Sequence, residues 1–390
     1  MAKKAYIGVN SKARKVNKIY IGVNGVARRV KKAYIGVGGY ARPFWPSGLQ
    51  QYGQVSTALN MYSPYLAGTS LGNYAVFGGG QGIPAGSSSN IIELLAYVNY
   101  YNKSLTRSLA ENLSVARSRL AAATVGNCAF FGGGWLGSSS SNVVDVYDAS
   151  TLVRTSPTNS LASNGCDLMA TSAGNYVLFG GGRQSPNSEQ WALTVKYVTA
   201  YDSSKVKYTP GNLNKEMYLG AATSVGKYAL FGGGRYDANT HVADLTAYDA
   251  SSNALTKTSV SGLSYARSEV CATTINGYAL FAGGFNGSYQ NIVDTFNADL
   301  TRSTIAPLAT ARNALKAVTL GGEYAIIAGG YNGDYVGTVD VYDKNLTHTT
   351  TNEMIHGRRD HAMATVGNYA LIAGGQYGAG LSSNVEAYCI

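Results

Sequence analysis

The chain has 390 residues, of which 48 are Gly, 13% are charged and 45% are hydrophobic. This charge-poor, Gly-rich composition excludes a disordered tail and a coiled coil, and 8 Pro without a Gly-X-Y period exclude collagen. The formal charge of +10 is unevenly spread: residues 1–48 hold eleven Lys and Arg and no acid, while residues 49–390 hold 20 basic residues against all 21 acidic ones.

The first 48 residues repeat every 14 positions, as Ala5-Tyr-Ile-Gly-Val-Asn-Ser11, Ile19-Tyr-Ile-Gly-Val-Asn-Gly25 and Ala33-Tyr-Ile-Gly-Val-Gly-Gly39. An Ala-Arg segment follows each unit. Asn24-Gly25 and Gly38-Gly39 predict two-residue hairpin turns. That register sets Tyr6 opposite Lys15, Tyr20 opposite Arg29, Ile19 opposite Val30 and Tyr34 opposite Pro43. Small hairpins with little apolar area are marginal alone. The segment is therefore expected to be a basic arm for attachment or oligomerisation, with Tyr6, Arg14, Tyr20, Arg28, Tyr34 and Arg42 as its contact residues. Such an arm could attract nucleic acid, but its charges keep strict hairpin positions, and docking on protein is the favoured reading. Met1-Ala-Lys-Lys begins no signal peptide, because no apolar stretch follows. No run approaches the roughly 18 apolar residues of a membrane span.

From residue 49 onward an apolar run ending in Gly-Gly recurs seven times, from Tyr74-Ala-Val-Phe-Gly-Gly-Gly80 to Tyr369-Ala-Leu-Ile-Ala-Gly-Gly375. The final glycines are Gly80, Gly134, Gly182, Gly234, Gly284, Gly330 and Gly375, spaced 45–54 residues apart. A fixed period of this length marks a repeat architecture. Each copy reads as four short strands. The first is small and alternating, as in Ala121-Ala-Ala-Thr-Val125, and a Gly-Asn, Gly-Lys or Asn-Gly turn follows. The second is the aromatic-aliphatic run, apolar at successive positions and so buried on both faces. The third has the pattern Val144-Asp-Val-Tyr-Asp148 and the fourth the pattern Leu105-Thr-Arg-Ser108. Arg107, Arg154, Lys257 and Arg302 share one position of the fourth strand, as suits a charged outer edge. The chain ends at the third strand of copy seven, so residues about 50–60 are expected to supply the missing fourth. Radial repetition of four-stranded sheets is a β-propeller.

These motifs resemble kelch repeats over residues 49–390, although the fourth-strand Trp of that family is missing in most copies. The resemblance implies an all-β, seven-bladed propeller with velcro closure. It also implies a binding face formed by the loops after Gly-Gly and those joining one blade to the next. On those loops the candidate ligand-binding residues are Trp135, Arg183, Arg235, Tyr236, Asp237, Phe285, Asn286, Tyr289, Tyr331, Asn332, Tyr335, Gln376 and Tyr377. Rings stack on apolar faces and amides pair with hydroxyls, a combination suited to a sugar or a protein surface. The tandem Tyr-Ile-Gly-Val-Asn-Gly-Val-Ala-Arg units of residues 1–45 resemble proteins of phages and prophages of Gram-positive bacteria. That resemblance implies a virion protein of the tail or baseplate, made in the host cytoplasm. Residues 1–48 would dock on other virion proteins, a host-cell glycan or protein would meet the propeller, and a homo-oligomer would form in the assembly. The alternatives are a structural or decoration subunit whose propeller is a protein-protein interaction module and, less favoured, a glycan-processing enzyme.

Catalysis has little support in the sequence, and the chain is expected to be no enzyme and to need no cofactor. No G-x-S-x-G elbow occurs, and the boxes of sialidases and the hub ligands of copper oxidases are absent. Asp145, Asp148, Asp340 and Asp343 recur with the repeat and read as structural rather than as a glycosidase pair. Glu353, His356, Asp360 and His361 lack zinc spacing and read as a solvated loop rather than a metal site. Cys128, Cys166, Cys271 and Cys389 lie far apart in unlike contexts and read as free thiols.

Overall fold

The computed structural model describes residues 48–390 apart from 88–90, 158, 185–192 and 379, and six strands ahead of them by backbone pairing. Those six strands form three antiparallel hairpins: Ala5–Val9 with Lys12–Val16, Tyr20–Val23 with Val26–Arg29, and Ala33–Val37 with Tyr40–Trp45. Tyr6 lies opposite Lys15, Tyr20 opposite Arg29 and Tyr34 opposite Pro43, the register expected from the turns. The turn residues themselves, and Ile19 and Val30, fall outside the described residues.

Seven four-stranded antiparallel sheets follow among the described residues. Their first strands are Ala67–Leu71, Ala121–Val125, Met169–Ala173, Ala221–Val225, Cys271–Ile275, Lys316–Leu320 and Ala362–Val366. Each first strand lies beside that of the next sheet, and Ala362–Val366 lies beside Ala67–Leu71. The architecture is that of a β-propeller, with the first strands round the axis. In the seventh sheet Val385–Cys389 pairs with Gln50–Gln54, so the fourth strand comes from the start of the body. Sheet one also carries a small three-stranded sheet, built from Met61–Tyr62, Gln81–Pro84 and Glu93–Leu94, that the repeat pattern does not announce.

Each layer follows from its residue types. Four first strands, of sheets two to five, alternate between buried and half-buried positions and are built mostly from small and hydroxyl residues. Only short side chains fit where seven strands converge, and hydroxyl pairs such as Thr69–Thr124 and Ser70–Thr365, both 2.9 Å, link neighbours there. Second strands are buried along their length, as Cys128–Gly132 shows. Asn276 and Gly277 both have positive φ, the type I′ pattern, whereas turns such as Gly126-Asn127 are positive only at Gly, the type II′ pattern.

The Gly-Gly pairs are what join one sheet to the next. Gly329 has φ +66°, and a Cβ there would come within 2.5 Å of the Arg358 carbonyl oxygen. The glycine after it, Gly330, donates its N–H to that same oxygen at 2.9 Å. Equivalent bonds run from Gly80, Gly134, Gly182, Gly234 and Gly284 to the next sheet's linker, and Gly375 donates to Ser63 of the first sheet at 2.8 Å. The tyrosine of the third-strand motif has a similar task. Tyr101, Tyr147, Tyr201, Tyr248, Tyr342 and Tyr388 are fully buried. Each hydroxyl donates to a linker carbonyl, as Tyr342 does to Ala306 at 2.7 Å. Sheet five has Phe296 at that position.

Four sheets contain a buried ion pair. Arg117–Asp145, Arg267–Asp294 and Arg312–Asp340 span 2.7–2.9 Å, and Arg358 pairs with Glu386. Each acid also accepts a linker N–H, for example Ala309 to Asp340 at 2.8 Å. Asp145 and Asp340 are thus structural, as expected, and Asp148 and Asp343 cap the turns that follow them. All four cysteines are free and buried. Among the described residues no helix is long and apolar enough to cross a membrane.

Candidate functional site

The residue two positions before each first strand turns the chain toward the axis. These residues are Tyr65, Arg119, Asp167, Leu219, Glu269, Ala314 and Asp360, and all seven have φ between 52° and 59°. This left-handed conformation costs a non-glycine residue of order 1–3 kcal/mol. The compensation is a run of six backbone bonds that links all seven. Tyr65 donates to Asp360, Arg119 to Tyr65, Asp167 to Arg119, Leu219 to Asp167, Glu269 to Leu219 and Ala314 to Glu269, at 2.7–3.1 Å. This circle of residues rims a cavity of about 260 Å³, with Arg235, Lys316, Arg359 and His361 also in its wall.

The residues directly after Gly-Gly form a second circle outside the first. Trp135, Arg183, Arg235, Phe285, Tyr331 and Gln376 bridge by backbone to Ser118, Cys166, Tyr218, Ser268, Asn313 and Arg359, the residues that precede the inner circle. The candidate binding residues on these loops therefore come together at one mouth of the ring. Their rings make a continuous strip. Centroids lie 5.9 Å apart from His241 to Phe285, 5.4 Å on to Tyr289, 6.2 Å on to Tyr331 and 5.6 Å on to Tyr335. The Arg359 guanidinium sits over Tyr331 at 4.6 Å and Tyr335 at 5.7 Å. His356 stacks on Tyr377 at 5.5 Å. Asn286 anchors one loop through Gln290 at 2.8 Å, and Asn332 caps another through the Asp334 N–H. Tyr236 is half exposed, and Asp237 caps its own turn through Asn239 and Thr240. Trp135 shares the face but makes no ring contact with the strip among the described residues.

Electrostatics separate the mouth from the rest of the body. Asp167 accepts from Arg183 at 2.7 Å and lies 3.5 Å from Arg119. Asp360 lies 3.5 Å from Arg359. Glu269 accepts from the Asn313 amide at 2.8 Å. Burial raises the Glu269 carboxyl above its ordinary range, against the pull of Arg235. Burial also raises Asp360, with Lys316 and Arg359 opposing. Burial, then Arg358 and Lys316, hold His361 well below its usual value, so it is neutral. Tyr218 lies between two guanidinium groups, Arg183 and Arg235, each 5.1 Å from its ring.

Comparison with known proteins bears on the fold alone. No family model matches the chain, and no curated protein matches it in sequence. Among solved structures, the one titled "Structure of YjhT" is similar, with a TM-score of 0.58 and 12% identity over 77% of this chain and 99% of that one. The likeness agrees with a propeller-like arrangement of small antiparallel sheets.

Two expectations need correction. The segment holding Glu353, His356, Asp360 and His361 is not a solvated loop, because His361 is fully buried and Asp360 belongs to the inner circle. Among the described residues no group of acids, His and Cys is arranged to hold a metal. The second is that the body has no basic patch in its sequence; folding gathers Arg119, Arg183, Arg235, Lys316 and Arg359 at one mouth beside three acids. The inner circle was missed because its members share no residue type. Its signal is positional: one variable residue, always two before the small first strand.

Proposed function

We propose that this chain is a virion host-recognition protein that works by binding rather than turnover. In this reading the body is a seven-bladed kelch-type propeller closed by the pairing of 50–54 with the last strand. Residues 1–48 dock it, as a homo-oligomer, on other proteins of a tail or baseplate. The mouth face takes a cell-surface glycan or protein. The observation that carries the binding role is the ring strip from Phe285 to Tyr335 with Arg359 laid over it, beside a charged cavity. Half-buried rings held by neighbours lose little freedom on binding and offer stacking faces, and nearby amides supply directional contacts. The place in a virion is supported by the resemblance of the hairpin units to phage proteins.

A glycan array probed with the full chain tests the binding role. The wild type should give signals that Tyr331→Ala combined with Arg359→Ala removes. Signals unchanged by that double substitution would end the reading of this face. For the arm, deletion of residues 1–48 should abolish incorporation into particles while leaving a folded body; incorporation of the truncated chain would contradict it.

A further inference from the structure

The axial cavity is where charge breaks the repeat. At the first position of the first strand, six sheets place Ala67, Ala121, Met169, Ala221, Cys271 and Ala362, all buried between neighbouring sheets. Sheet six places Lys316 there, exposed and in the cavity wall. A lysine is not needed to build the sheet, since six sister sheets manage without one. Its charge in the cavity wall invites an anionic partner.

That partner is not supplied within the mouth. Asp167 is shared between Arg183 and Arg119, Asp360 faces Arg359, and Glu269 is held by an amide. Lys316 acts on Asp360 and Arg235 on Glu269 only through space. Neither cation has an ion pair among the described residues. The Arg235 Nε is buried without a hydrogen-bond partner. Five cations against three carboxylates leave a positive surplus at this mouth. The cavity of about 260 Å³ falls just under the roughly 300–1,000 Å³ of pockets for drug-sized ligands. One sugar-sized group is the natural occupant.

We propose that the axial cavity is a subsite for an acidic sugar, whose carboxylate or phosphate monoester is held by Lys316 and Arg235. Charge-assisted bonds of this kind are the strong ones. Asp360 and Glu269 accept from ring hydroxyls. Outer residues of a longer glycan then reach the ring strip. This inference rests on the glycan form of the proposed function and names the chemistry that the mouth selects.

Calorimetric titration of the full chain with glucuronate, glucose 6-phosphate, glucose and inorganic phosphate tests it. At least one acidic sugar should bind about tenfold or more tightly than glucose, and Lys316→Ala should erase that preference. Lys316→Arg should retain most of it. Lys316→Ala copies the sister sheets, so an unchanged melting temperature is expected and separates lost binding from lost fold. The two acids distinguish a carboxylate from a phosphate ligand, and inorganic phosphate binding as tightly as either sugar would reject a sugar subsite. Equal binding of glucose, no binding of either acid, or no effect of Lys316→Ala would overturn the proposal. Array signals lost in the Tyr331 and Arg359 double substitution, with no acidic sugar bound, would sink the subsite and leave the face. An acidic sugar bound, with an empty array, would do the reverse.

Discussion

Sheets three and four differ from sheets two, five, six and seven at one structural position, and the difference shows what the repeat requires. Where the linker holds Arg117, Arg267, Arg312 or Arg358, the third strand holds Asp145, Asp294, Asp340 or Glu386. Where the linker holds Gly165 or Met217, the third strand holds Thr199 or Thr246. The hydroxyl of Thr199 still accepts the Ala162 N–H at 2.9 Å, and that of Thr246 accepts the Asn214 N–H at 3.0 Å. The constant element is therefore an acceptor for one linker N–H. The ion pair is an optional addition, and the two partners change together. A lone buried charge is strongly unfavourable, whereas a pair or no charge at all can be accommodated.

The largest effect should come from breaking a pair. Asp294→Ala strands the fully buried Arg267 and should cost about 3–5 kcal/mol in denaturant unfolding. Copying sheet four, with Arg267→Met and Asp294→Thr together, should recover most of that loss, leaving under about 2 kcal/mol. A double substitution as damaging as the single would break the comparison. Tyr342→Phe is smaller still. It leaves the Ala306 carbonyl without its phenol donor, and about 1–1.5 kcal/mol should be lost, limited because Phe296 fills that position in sheet five.

The smallest effect has the opposite sign. Burial raises the Glu269 carboxyl above its ordinary value of 4.5. The folded protein then binds this proton more tightly than the unfolded chain does. Stability falls as pH rises between the two values, and the cost is fully present above the folded one. Glu269→Gln should therefore raise the melting temperature slightly at pH 7 and keep a partner for the Asn313 side chain. The gain should fade as pH falls from the raised folded value toward 4.5 and be absent below it. A gain that grew toward acid would contradict this account of the mouth.

Much of the scaffold is legible in the sequence because each repeat device is a fixed residue type. The Gly-Gly pair marks a positive φ and a close backbone approach, the third-strand Tyr a buried phenol bonded to a linker, and the Ala-Thr strand the crowded axis. The segment near 50–60 is legible because it aligns with the fourth-strand segments of other copies, and Gln50–Gln54 pairs with Val385–Cys389. The loop residues of the mouth are found because they follow Gly-Gly. Their contacts are not, because Arg359 reaches Tyr331 across sheets, 28 residues away. Lys316 and the inner circle stay hidden for another reason. Proximity at the axis joins residues about fifty positions apart, and nothing in local patterning marks which variable residue meets which.

The separation of a repeating scaffold from a mouth where the repeat is broken is tested most directly by comparing the two ends of the ring. Full-length protein carrying Tyr331→Ala and Arg359→Ala, and full-length protein carrying Asn127→Ala and Asn175→Ala in exposed turns at the other ends of the first strands, would be run on one glycan array beside the wild type. The account predicts that the first pair abolishes the wild-type signals and the second leaves them intact. Signals that survive the first pair and vanish with the second would contradict it.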